Sequence, residues 1–119
     1  MIIKIDEYSD VPIYMQIRNQ IVMGISSGEL AGGDQLPTVR ALALEIGINT
    51  MTVSKTYQML KSEGYITTDR KNGARVRQQI EQSKVISEDN KRELRRIVSE
   101  ARLSGVPKKE IQKLIDEYY

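Results

Sequence analysis

Apolar residues recur along this chain with two different spacings, and each change of spacing marks a new element. From Ile2 to Ile5 apolar and polar positions alternate, which predicts a short edge strand. Ile13, Ile17, Ile21 and Ile25 then return every four residues, with Tyr14 beside them, as one buried stripe of a helix. Asp10 is placed to cap that helix, and Pro12 fits its first turn. Gly28 suits the left-handed position that ends it, and Gly32-Gly33-Asp34 reads as a turn. Thr38 caps a shorter helix whose apolar face is Val39, Leu42, Ala43 and Ile46, and Gly47 closes it.

Asn49 caps a third helix running to Glu63. Val53, Thr56 or Tyr57, and Leu60 form its inner face; Thr50, Met51, Ser54, Lys55 and Gln58 face out. Tyr65 to Thr68 and Ala74 to Gln78 read as strands, joined by a tight turn at Asn72-Gly73. After Gln78 the chain becomes polar, a linker. Ser87 then caps a helix with Glu88 and Asp89 in its first turn, where they complement the helix dipole. Leu94, Ile97, Val98 and Ala101 form its stripe. Ser104-Gly105 stops it, and Val106-Pro107 opens a last helix carrying Ile111, Leu114, Ile115 and Tyr118. Two short helices with one apolar stripe each cannot close a core alone, so they require another surface.

Short helix, turn, longer helix and hairpin in that order describe a winged helix-turn-helix, a shape that puts one helix into a DNA groove. The fold expected is mainly α with a small β wing. Residues 1–78 form the winged helix-turn-helix DNA-binding domain. Residues 79–119 supply a linker and a short two-helix dimerisation tail.

Composition narrows the function. The chain has 119 residues, enough for one modest core, and it contains no Cys and no His. Disulfides, thiolate zinc sites and the commonest general base are absent together. Carboxylates and lysines remain, but no spacing gathers them into a constellation, so neither an enzyme, a cofactor nor a metal site is expected. No apolar run approaches the roughly 20 residues that span a membrane. The N-terminus lacks the pattern of a secretory signal, which makes the cytoplasm the expected location.

Net charge is only +2, yet it is unevenly spread. Residues 1–39 hold two basic and five acidic side chains. Residues 40–76 hold six basic (Arg40, Lys55, Lys61, Arg70, Lys71, Arg75) against three acidic (Glu45, Glu63, Asp69). The basic excess falls on the segment that would meet phosphate.

The residues Leu36, Pro37, Arg40, Leu42, Ala43, Gly47, Asn49, Thr52, Val53, Tyr57, Leu60, Glu63, Gly64 and Ile66 stand in the register of one family. The stretch resembles the DNA-binding domain of GntR-family bacterial transcription regulators, and the resemblance covers residues 2–76. The short helical tail is similar to the small YtrA-like subgroup, in which it serves mainly dimerisation. Departures lie at the reading positions. Threonine and methionine stand at Thr50 and Met51 where some members place arginines. The wing has Lys71 and Arg75 in place of a glycine and a phenylalanine. That substitution pattern shifts weight from base-edge readout by arginine towards phosphate contact.

The resemblance implies a homodimeric, sequence-specific regulator of double-stranded DNA, a repressor on a near-palindromic operator. Arg40 is implied to reach DNA; the alternative is a surface arginine paired with Glu45 or Glu63. Asn49, Thr50, Met51 and Thr52 form the tip of the reading helix, where amides and hydroxyls favour phosphate. Met51 is also suited to a thymine methyl. Ser54 and Lys55 follow one turn later, and Arg70, Lys71, Gly73 and Arg75 make the gripping wing. Tyr57 reads as core. Longer relatives carry a large effector-binding domain. Here two tail helices leave little room for an enclosed pocket, so a small-molecule effector requires a site at a dimer interface. The competing reading is a winged protein-interaction module that ignores DNA, which the basic segment and the motif count against.

Overall fold

The structure, a computed structural model, describes all 119 residues. They divide into two compact units, Met1–Glu81 and Gln82–Tyr119. The first unit contains α1 (Ile13–Ser27), α2 (Val39–Ile46), α3 (Thr50–Ser62), β1 (Ile66–Asp69) and β2 (Gly73–Val76). The second contains α4 (Glu88–Leu103) and α5 (Lys108–Tyr118).

One core serves the whole first unit. Ile17 and Ile21 from α1, Leu42 from α2, Val53 and Leu60 from α3 and Ile66 from β1 are closed off from solvent. Ile13 and Ile25 extend the α1 stripe as half-buried flanks. Fully burying side chains of this size is worth about 1.5–3 kcal/mol each, so α3, with faces on α1, α2 and β1, is the keystone. One buried polar residue sits among them. The Thr56 hydroxyl lies 3.0 Å from the Tyr14 carbonyl and 3.2 Å from that of Thr52. A buried hydroxyl without such a partner would cost free energy; here it ties α3 to α1.

The cap positions follow the residue chemistry. Thr38 Oγ1 accepts from Ala41 N at 3.0 Å, and Asn49 Oδ1 accepts from Met51 N at 2.7 Å. The turn between α2 and α3 is entered through Gly47 at φ 69°, a left-handed conformation costly for residues with a Cβ. The α1 cap differs from the sequence expectation. Pro12 occupies the N-cap, no side chain caps the helix, and Asp10 makes no capping bond.

The expected edge strand at Ile2–Ile5 does not form. The arm is extended, but side chains of α1 pair with it. Lys4 N donates to Gln20 Oε1 at 2.9 Å, and Gln20 Nε2 donates back to Lys4 O at 2.6 Å. Asp6 N and Asp6 O make the same exchange with Gln16, both at 2.9 Å. The match is geometric. Two residues of extended chain advance about 6.6 Å and four residues of helix about 6 Å, so two carboxamides one turn apart meet alternate backbone units.

The wing is also built differently in detail. β1 and β2 pair antiparallel, Ile66 with Val76 through Asp69 with Gly73. The connection is therefore the three residues Arg70, Lys71 and Asn72, not a two-residue Asn-Gly turn. Gly73 follows at φ 68°, the left-handed residue such a loop needs. The Asp69 carboxylate accepts from Asn72 N and Asn72 Nδ2 inside the loop. These bonds hold the carboxyl below its ordinary range. β2 ends at Val76, short of Gln78. A third segment, unforeseen behind its turn glycines, runs along β2. Gly33 N donates to Val76 O at 2.8 Å, Val76 N to Asp34 O at 2.9 Å and Leu36 N to Ala74 O at 2.8 Å. The wing is thus hydrogen-bonded to the chain that leads into α2.

In the second unit Ser87 Oγ accepts from Asn90 N at 3.1 Å, and Gly105 at φ 79° ends the α4 segment. α4 is laced by pairs between neighbouring turns: Arg92 with Asp89, Arg96 with Glu93, and Arg96 with Glu100 at 2.8 Å. Neither helix buries a single residue.

Candidate nucleic-acid interface

The outer surface of the first unit carries most of the residues singled out for DNA contact. Arg40 stands in the first turn of α2 and forms no ion pair. Of its two candidate partners, Glu63 is held by Arg18, whose Nε and Nη2 donate to the two carboxylate oxygens at 3.1 and 2.7 Å. That bond raises the Arg18 pKa further above its ordinary value. Glu45 forms no ion pair either. Arg40 is left facing outward, and with Leu44, Gly47, Ile48 and Thr50 it lines one surface depression. The fold thus brings Arg40, on α2, beside the start of α3.

Along α3 the outward residues share one face. Met51, Thr52, Ser54, Lys55 and Gln58 line a second depression, and Met51 is 78% exposed. Asn49 is engaged as a cap, so its carbonyl oxygen is committed to Met51 N. Gln58 stands on this face, where the spacing of the helix places it. Its amide lies 3.5 Å from Ser54 Oγ one turn before it. Opposite this face, Tyr57 is buried, and its hydroxyl donates to Pro37 O at 2.7 Å. Loss of solvent pushes that phenol's pKa up, so it remains a neutral donor bracing α3 against the entry to α2.

Lys55 forms no ion pair; its ammonium sits 4.0 Å from the centre of the Tyr14 ring, on α1. Sequence reasoning passed over Tyr14 because its partner lies 41 positions away.

On the wing, Arg70 and Lys71 are exposed at the tip and free of carboxylate partners. Arg75 is different. It is half-buried, and its Nη1 donates to Gly33 O at 3.0 Å. Arg75 therefore braces the wing from inside, and Arg70 and Lys71 provide the tip's charge. Gly73 lies at the loop's exit.

Against known proteins, residues 13–76 match the family described as bacterial regulatory proteins, gntR family. The chain belongs to the GntR family. It is 35% identical over 117 residues to the HTH-type transcriptional repressor YtrA of Bacillus subtilis (strain 168), covering 97% of this chain and 90% of that one. A transcriptional antiterminator structure from Listeria monocytogenes superposes with a TM-score of 0.80 at 32% identity, over 99% of this chain and 90% of that one. The DNA-binding domain of AraR, solved in complex with operator ORX1, gives a TM-score of 0.54 at 25% identity, over 60% of this chain and 86% of that one.

This GntR protein is a DNA-binding transcription regulator with a winged helix-turn-helix and a C-terminal helical segment. Its family and its YtrA-type relative are regulators, not enzymes. No helix of it is long and apolar enough to cross a membrane.

Proposed function

We propose that this GntR regulator works in the cytoplasm as a homodimeric repressor. Its two winged units read half-sites of a near-palindromic operator, spaced about one helical turn apart. The observation that carries the pairing is the state of the tail. Leu94 is 48% exposed, Ile97 49%, Leu114 38% and Ile115 45%, and neither tail helix buries a residue. Ala101 and Ile111 are half-buried and Tyr118 is exposed beside them. Stripes of this kind are stable only against another surface, and a second copy supplies an identical one.

Within each unit, Arg40, Thr50, Met51, Thr52, Ser54 and Lys55 meet the groove and its phosphates. Asn49 orients the tip, and Arg70 and Lys71 grip the neighbouring backbone. Arg75 supports the wing from behind. The repressor assignment rests on the likeness to the YtrA repressor.

Two experiments test the reading. A chain ending after Gln82 should sediment as a monomer while the full chain sediments as a dimer; a dimeric fragment removes the tail from the interface. Selection of bound duplexes from a random pool should return a two-fold-related sequence. Recovery of unrelated duplexes, with binding that barely changes between roughly 50 and 200 mM salt, sinks the operator model, since phosphate contacts impose a steep salt dependence.

A further inference from the structure

We propose that Tyr14 is a positioning residue for DNA binding: its ring holds the Lys55 ammonium ready for a backbone phosphate, extending the interface from α3 to the first turn of α1. The inference rests on the assignment of Lys55 to phosphate contact made above. Three observations carry it. The Lys55 Nζ lies 4.0 Å from the Tyr14 ring centre, within the range of a cation–π contact. Lys55 has no carboxylate partner; the one ion pair of the first unit joins Arg18 to Glu63. The next residue, Thr56, hydrogen-bonds the Tyr14 main-chain carbonyl at 3.0 Å, so ring and lysine are held in register by an independent contact.

An exposed lysine normally samples many rotamers, and ordering it on a phosphate costs side-chain entropy. Resting on a ring that is itself half-buried, Lys55 has lost part of that freedom before DNA arrives. The ring face is only a weak acceptor, so the N–H donors turned away from it stay available to phosphate oxygens. A carboxylate in the same place would neutralise the charge; the ring holds it and leaves it positive.

The test is a double-mutant cycle in the full-length protein. The probe is a duplex recovered by selection from a random pool, titrated between about 50 and 200 mM salt. Lys55→Gln should reduce the slope of log affinity against log salt by about one. Tyr14→Leu should weaken binding by about twofold to fivefold at fixed salt, the part of the lysine's ordering cost that the ring removes. Tyr14→Phe, which keeps the ring, should bind as the unaltered protein does. In the Lys55→Gln background, Tyr14→Leu should have no further effect.

An undiminished Tyr14→Leu loss in that background overturns the proposal, because the ring would then act through something other than Lys55. Wild-type affinity of Tyr14→Leu overturns it as well. Should the leucine variant lower the melting temperature, Tyr14→Met takes its place, keeping bulk without a π face. An unchanged salt slope in Lys55→Gln refutes the phosphate assignment of Lys55 instead. The two failures are thereby told apart.

Discussion

The two units of this chain use the same amphipathic helix and complete it in opposite ways. In the first unit the stripe of α1 is met by α3 of the same chain, and Ile17, Ile21 and Leu60 lose all contact with water. In the second, α4 and α5 carry stripes of similar spacing, yet Ile97 and Ile115 keep almost half their surface exposed. Periodicity therefore announces that a face will be covered without saying by what. Charge follows the same division. Arg40, Lys55, Arg70 and Lys71 have no carboxylate partner on the first unit, whereas on α4 Lys91, Arg92 and Arg96 each pair with a carboxylate three or four positions away.

Substitution at matched positions should sharpen this contrast. Leu60→Ala should remove about 2–5 kcal/mol from the stability of the first unit, measured by urea unfolding, because it opens a cavity in a sealed core. Ile97→Ala should leave that transition in place in dilute protein and shift sedimentation towards monomer. A large loss of first-unit stability from Ile97→Ala would mean that the units share a core, and the comparison would fail. Next in size, Arg40→Ala should weaken duplex binding by about 1–3 kcal/mol at fixed salt with the melting temperature unchanged. Unaltered affinity would take Arg40 out of the interface. Smallest is Gln20→Leu. It removes both bonds to Lys4, which should speed amide exchange at Lys4 and cost about 1 kcal/mol or less, since water replaces them. Exchange at Ile17 should not change; if it does, the arm is part of the core.

Much of the first unit was legible because its signals are local. The caps Thr38 and Asn49, like Ser87 in the second unit, each accept a backbone N–H within their own helix's first turn, a relation between near neighbours in the sequence. Spacing places Val53 and Leu60 on the inner face of α3 and leaves Thr56 and Tyr57 as alternatives; both are buried. What escaped the sequence is non-local. Alternation at Ile2–Ile5 signals extended chain, but its pairing partners are carboxamides from a helix, and no strand pattern betrays them. Asp34 to Leu36 pairs with β2 although its leading glycines read as a turn. The Arg18–Glu63 bridge, which leaves Arg40 unpaired, spans 45 positions. On the candidate interface, Arg75, read as a gripping residue, also donates to Gly33 O, a bond across 42 positions that no local pattern betrays.

The main-chain bonds between β2 and residues 33–36 have one more consequence. That same segment turns at Pro37 into α2, so hairpin and helix entry share one backbone scaffold, with Tyr57 pinning it to α3. The span between the wing and Arg40 is therefore set by peptide groups, which every sequence possesses. The tip residues Arg70 and Lys71 take no part in that scaffold. On the proposed reading, exchanging Arg70 and Lys71 alters how strongly the jaw bites and leaves its gauge untouched.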